Sequence, residues 1–288
     1  MAGALGLRAK TGMIPEKTPF FITAENKALI QSIMAARDRH PVNILIKGKH
    51  GLGKSELARQ LAATYDMDYV PIPINLLQES GQLMGHDEFV DNQTCFVESN
   101  FVKAIRTPNS LIHLEELNRP ESPKALGELF PILDDSRMIV HDKIGEVKVA
   151  SGIVFVGTLN IGFEYTGIDP LDEALRDRFH FVDLGYLPPA EETRLIGMRT
   201  GLSGPTVTQL VELVNSLRYD GQEPVHVSTR RMLMIAELMQ AGLPMQMAII
   251  NCIGIDKDKL ESILLRLDFG GLMGGARGKT GSGEYVLL

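Results

Sequence analysis

The chain has 288 residues, of which 44% are hydrophobic and 23% charged, so it can bury a substantial core and has room for a larger domain with a smaller one attached. Its formal net charge of -7 argues against sequence-independent binding to nucleic acid, which needs a basic surface. No apolar run reaches the roughly 18 residues of a membrane span, and Cys95 and Cys252 provide neither a disulfide framework nor metal-ligand spacing.

Residues 1–20 read as an extended lead-in marked by Pro and Gly. The short apolar start followed by basic residues reverses the order of a secretory signal, so a cytoplasmic protein with reduced thiols is expected. Ala28, Leu29, Ile30, Ile33, Met34 and Ala36 predict a helix over residues 24–39. The apolar run at 42–47 predicts a buried strand, followed by a glycine-rich loop, a helix over 54–65 and a second strand over 68–73. A third strand is expected at 110–114, ending in Glu115 and Glu116, and a helix after Pro123. Residues 137–150 predict a hairpin around Asp142–Gly145, and further strands follow at 151–160 and 179–184. Beyond Pro188 and Pro189 the pattern turns helical, with segments at 190–199, 206–218, 229–241, 244–253 and 257–267. The predicted organisation is thus an α/β nucleotide-binding domain over 21–188, a helical domain over 189–269 and a glycine-rich tail over 270–288.

The glycine-rich loop, GKHGLGKS at 48–55, fits the spacing of a phosphate-binding loop and stands between a strand and a helix, as that chemistry requires. Its backbone N–H groups would cradle phosphate oxygens, Lys54 would reach the β- and γ-phosphates, and Ser55 would bind Mg²⁺. The nucleotide-binding set is taken as Gly48, His50, Gly51, Leu52, Gly53, Lys54 and Ser55, with ATP and Mg²⁺ as the bound species, while Leu57 falls on the apolar side of the following helix. A second GKT, at Lys279-Thr280, lacks the preceding strand and the upstream glycine. Glu115 is placed to face the metal and Glu116 the attacking water. His113, inside the strand, reads as a packed residue, and Asn160 ends the fourth strand where it can sit beside the acidic pair.

In this order the segments resemble the AAA+ ATPases, and among them the MoxR family near its CbbQ/NorQ branch, over roughly residues 20–255. The loop at 48–55 is similar to the Walker A motif, LIHLEELNRP at 111–120 to Walker B, and GTLN at 157–160 to the sensor 1 strand end. LDEALRDRF at 171–179 resembles the segment carrying a trans-acting arginine, and HVSTRRM at 226–232 the sensor 2 segment. The resemblance implies a P-loop core with a parallel five-stranded sheet between helices and a C-terminal helical lid. It assigns catalytic roles to Glu116, Asn160, Arg178 and Arg230, with Arg176 competing for the finger, Arg231 for sensor 2, and Arg119 a further interface candidate. Residues 84–100 resemble the family's helix 2 insert and 137–150 its pre-sensor 1 hairpin. Phe89, Val90, Cys95, Phe96 and Val97 either grip a protein partner or pack against that hairpin.

The resemblance further implies a homo-oligomer, expected to be a hexamer. Such a ring would hydrolyse ATP to remodel or activate a partner, one carrying a von Willebrand factor A domain being the family's pattern. Two other classes stay open: a nucleic-acid-associated motor subunit and a nucleotide-binding regulator with weak turnover. Glu115 stands where the family usually has Asp, which bears directly on the rate of hydrolysis.

Overall fold

The computed structural model describes residues 12–37, 39–161, 171–202, 204–221, 224–270 and 283–288. The first part of the lead-in, the second GKT and the glycine-rich stretch at 271–282 lie outside the described residues. In chain order the elements are β1 (Phe21–Thr23), α1 (Ala24–Ala35), β2 (Val42–Gly48), α2 (Lys54–Thr64), β3 (Asp68–Pro73), β4 (Gly85–Val90), β5 (Gln93–Glu98), α3 (Asn100–Ile105), β6 (Ser110–Glu115) and α4 (Leu129–Leu133). They continue with β7 (Met138–His141), β8 (Gly145–Lys148), β9 (Val154–Asn160), α5 (Glu173–Arg176), β10 (His180–Leu184), α6 (Pro189–Thr200), α7 (Pro205–Arg218), α8 (Thr229–Gln240), α9 (Met245–Ile253), α10 (Lys257–Gly270) and β11 (Tyr285–Leu287).

Two compact units emerge, and neither is continuous in sequence. The first holds residues 1–18, 28–48 and 54–183. Its centre is a five-stranded sheet in the order β10-β2-β9-β6-β3. The pairs β2–β9, β9–β6 and β6–β3 are parallel. Strands β2, β6 and β9 are buried on both faces, which explains why they read as unbroken apolar runs rather than alternating ones. The core joins Leu45, Ile72, Phe101, Leu114, Ile132, Phe155 and Leu175.

Register aligns Gly48 with Asn160, and Glu115 with Pro73, so the loop-bearing strand, the polar strand end and the acidic pair emerge at the same carboxyl edge of the sheet. Open α/β sheets bind ligands at that edge.

The segment read as an insert forms a hairpin, β4–β5, turned by Asp91 and Asn92 in left-handed conformations. The second hairpin, β7–β8, falls where the sequence places it. The two are tied together: Lys143 Nζ lies 2.9 Å from Asp87 Oδ2, and the Phe96 and His141 rings are 5.2 Å apart. Phe96 therefore packs against the second hairpin, whereas Phe89 is 73% and Val140 71% exposed.

The second unit holds residues 19–27, 49–53 and 184–288. Val207, Leu210, Val214, Met232, Ile235 and Ile249 form the centre of its helical core. The last described strand pairs with the first: β1 and β11 are antiparallel, with Phe21 opposite Leu287. Phe21, Leu187 and Leu195 form a small cluster, joined by Tyr285.

A fully buried ion pair lies in this unit. Arg218 donates from Nη1 and Nη2 to both oxygens of Glu192, at 2.7 and 2.9 Å, and from Nε to the Val227 carbonyl at 2.7 Å. The bidentate geometry and the extra carbonyl offset the cost of removing both charges from water. Glu192→Ala would leave the guanidinium buried and uncompensated, a loss of about 3–5 kcal/mol. Urea unfolding followed by circular dichroism should show that loss, and Arg218→Leu added to Glu192→Ala should recover part of it.

Candidate active site

Gly51 and Gly53 take φ of 74° and 91°, in the region that favours glycine. Space also forbids a side chain at Gly51: a Cβ there would lie 2.4 Å from Ser228 Oγ. At Gly53 it would lie 3.0 Å from the Phe20 ring.

Ser228 caps α8, accepting from the Arg231 N–H, and the Arg230 N–H donates to the Gly51 carbonyl at 3.2 Å. The first turn of α8 thus rests on the middle of the loop, with the Arg230 side chain exposed. Arg231 is directed elsewhere, donating to the Ile253 carbonyl at 3.1 Å. The His50 carbonyl pairs with His226 Nε2 at 3.0 Å, while the His50 side chain is exposed and Leu52 is buried. His226 Nδ1 in turn pairs with the Tyr186 hydroxyl.

On the sheet side, Gly48 closes β2, and Lys54 opens α2 with its Nζ donating to the Gly48 carbonyl at 2.8 Å. Only 7% of Lys54 is exposed. Ser55, the next residue, is half-buried. Leu57 is fully buried on the apolar face of α2, as its place in the helical period predicts.

The acidic pair divides by environment. Glu115, the last residue of β6, has its carboxyl raised above the usual range by burial, against a lowering effect of Arg59 and with a further raising effect of Glu116. Glu116 follows with φ of 52°, unusual for a residue with a side chain. Asn160 Nδ2, at the end of the adjacent strand β9, donates to Glu116 Oε1 at 3.0 Å, and Arg119 Nη1 lies 3.5 Å from Oε2. Asn118 Nδ2 donates to the Asn160 carbonyl at 3.2 Å, fixing the other end of the same residue.

His113 is fully buried, as its position inside the strand suggests. Burial, with Arg59 nearby, lowers it to about 3, so the ring is neutral. The Tyr69 phenol, pushed up to about 12 by burial and by Glu115, pairs with His113 Nδ1 at 2.7 Å. His113 Nε2 meets Thr158 Oγ1 at 3.1 Å. Sequence reasoning missed Thr158 and Tyr69. The available signal was two polar residues, His113 and Thr158, inside neighbouring apolar strands, since buried polar groups require partners.

Arg178 and Arg176 differ in setting. Arg178 Nη2 lies 2.9 Å from Asp134 Oδ2, Nη1 donates to the Ala174 carbonyl, and the guanidinium stacks 5.3 Å from the centre of the Phe130 ring. Arg176 is exposed beside Phe181.

The residues present fit a Mg²⁺–nucleotide. Gly51 and Gly53 have no room for a Cβ, Lys54 stands at the N-terminus of α2, and Ser55 and Glu115 are hard oxygen donors. Among the described residues no group of three or more His, Cys, Asp or Glu side chains could hold a metal ion. Among the same residues no helix is long and apolar enough to cross a membrane.

Residues 43–179 match the family model of the AAA domain (dynein-related subfamily), and residues 192–264 that of the CbbQ/NirQ/NorQ C-terminal region. The chain is 41% identical over 278 residues to the putative chaperone BssE of Thauera aromatica, covering 96% of this chain and 95% of that protein. It is 24% identical over 220 residues to the denitrification regulatory protein NirQ of Stutzerimonas stutzeri, covering 75% and 78%. Among solved structures, a RuvB variant of Thermotoga maritima aligns with a TM-score of 0.52 at 16% identity, over 84% of this chain and 69% of the other. The FIGL-1 AAA domain with ADP aligns at 0.50 and 17% identity, over 93% and 91%.

Proposed function

Because the chain belongs to the MoxR family of AAA+ ATPases, near the CbbQ/NirQ/NorQ branch, we propose that it is a ring-forming enzyme that couples ATP hydrolysis to the remodelling or activation of a protein partner. The observation that carries this reading is the Glu116 carboxylate held by Asn160 at the tips of two adjacent strands, on the sheet edge where the phosphate loop begins. A carboxylate so fixed can orient a water for attack on the terminal phosphate.

The remaining roles follow from chemistry. Lys54 supplies the charge that meets the β- and γ-phosphates, and Gly48, His50, Gly51, Leu52, Gly53 and Ser55 complete the cradle. Ser55 and Glu115 would hold Mg²⁺, which when bound neutralises charge on the phosphate oxygens. Asn160 acts as the sensor on the γ-phosphate side. Arg178 serves a neighbouring subunit's nucleotide, and Arg230, at the start of α8, reports nucleotide state to the helical unit. ATP turnover would then shift the tied hairpins, whose exposed Phe89, Val90 and Val140 suit contact with a partner protein.

The 41% identity to a protein described as a putative chaperone supports a protein substrate, and a von Willebrand factor A domain in that partner is the form the family suggests. The expected assembly is a hexamer in the cytoplasm. The alternative of a weakly hydrolysing regulator draws on Glu115, which stands where the family usually has Asp.

ATPase assays on the purified ring test the proposal. A co-expressed partner should stimulate turnover severalfold and duplex DNA should not. Stimulation by DNA alone would favour a nucleic-acid motor, and turnover indifferent to every partner would favour the regulator.

A further inference from the structure

Three polar side chains run through the apolar interior of the sheet: Tyr69 on β3, His113 on β6 and Thr158 on β9. All are at most 9% exposed. Tyr69 Oη pairs with His113 Nδ1 at 2.7 Å, and His113 Nε2 with Thr158 Oγ1 at 3.1 Å. In either tautomer the ring bridges the other two, one of its nitrogens donating and the other accepting.

The set does not end within the sheet. Thr158 Oγ1 accepts the Glu116 N–H at 3.2 Å, and the Thr158 carbonyl accepts the Leu117 N–H at 2.9 Å. These two bonds grip the chain where Glu116 takes its left-handed φ of 52°. Such a conformation persists only where the surroundings over-determine it. Two residues farther along β9, Asn160 Nδ2 holds the carboxylate of that same residue. One strand thus fixes both the peptide and the side chain of Glu116.

We propose that Tyr69, His113 and Thr158 are positioning residues for ATP hydrolysis, a buried relay that sets the Glu116 peptide and thereby aims its carboxylate. None of the three touches the reacting atoms. The inference rests on the reading of Glu116 as the water-orienting carboxylate.

The variant that isolates the relay is Thr158→Val, which keeps the shape and removes Oγ1. In the full chain, kcat for ATP should fall by about tenfold to a hundredfold, the scale of a roughly 1 Å misplacement. Nucleotide affinity should hold near the parental value, and the melting temperature should fall by a few degrees, because the His113 ring and the Glu116 N–H lose a buried partner. Thr158→Ser, which keeps the hydroxyl, should recover kcat to within a few-fold. In a Glu116→Gln background Thr158→Val should cost nothing further, because the residue acts only through Glu116. A purely structural role would give additive losses in the Glu116→Gln background instead, and that result overturns the inference.

If Glu116→Gln itself keeps parental turnover, the reading of Glu116 fails and the relay fails with it. If Glu116→Gln stops turnover while folded Thr158→Val turns over normally, the relay alone fails. Should Thr158→Val not fold, Tyr69→Phe removes only the far hydroxyl. A few-fold loss in kcat at constant KM, absent in the Glu116→Gln background, supports the relay, and unchanged kcat overturns it.

Discussion

Lys54→Ala is expected to abolish ATP turnover and to remove nucleotide binding at any ordinary concentration. The side chain is the cation at the start of α2, nearly enclosed, with its Nζ bound to the Gly48 carbonyl at the other end of the loop. No other cationic side chain within GKHGLGKS can take its place, since Lys49 lies with Tyr186, 5.9 Å from the centre of its ring. The protomer should not suffer. Alanine is the best helix former, and a cation at a helix N-terminus opposes the macrodipole. Thermal melting separates the two effects. Without nucleotide the variant should melt near the parental temperature. Saturating ATP stabilises the parent by about 2.7 kcal/mol at a hundred times Kd, and the variant should show no such shift. Parental turnover in Lys54→Ala would remove the loop from the active site.

Arg178→Ala should leave nucleotide binding near parental and reduce turnover of the assembled ring by about 10³-fold or more, the scale of an arginine finger. The side chain is engaged within its own chain by Asp134, Ala174 and Phe130. It must leave these contacts to serve a neighbour. Its backbone is held separately: the buried Asn43 Nδ2 donates to the carbonyls of Leu133 and Arg178 at 2.8 and 2.9 Å. Truncating the side chain therefore leaves the segment in place, and Asp134, which loses its partner, is exposed enough to be solvated. Mixing Arg178→Ala with Lys54→Ala chains tests the trans arrangement. A mixed ring contains interfaces where an intact loop meets an intact arginine, so activity should reappear. Normal turnover of Arg178→Ala alone would transfer the role to Arg176 or Arg119.

Much of this was legible in the sequence because the signals were local. VNILIK, SLIHL and SGIVFVGTLN announced buried strands, and the loop, the acidic pair and Asn160 stood at their ends. Asn160 beside Glu116 was anticipated from that order. The structure adds a left-handed Glu116, which no propensity pattern reveals. Residues 84–100 were read as an insert, but their pairing as β4–β5 was missed. Their turn is Asp-Asn rather than the Asn-Gly that marks tight hairpins most strongly. Strand β9 begins at Val154 rather than 151, since a buried apolar run states that a strand exists more clearly than where it starts. The pairing of β1 with β11 was illegible, because three-residue strands at opposite ends of the chain leave no local periodicity.

That pairing has a consequence for the order in which the protein comes into being. The unit that contains residues 49–53 also contains residues 19–27 and everything from residue 184 onward. A ribosome that has already made the phosphate loop has yet to make α8, whose first turn rests on Gly51, and β11, which pins the strand beside Phe20. Contacts so distant along the chain close late and slowly. The loop is synthesised before the segments that support it, so its final arrangement waits on residues far downstream.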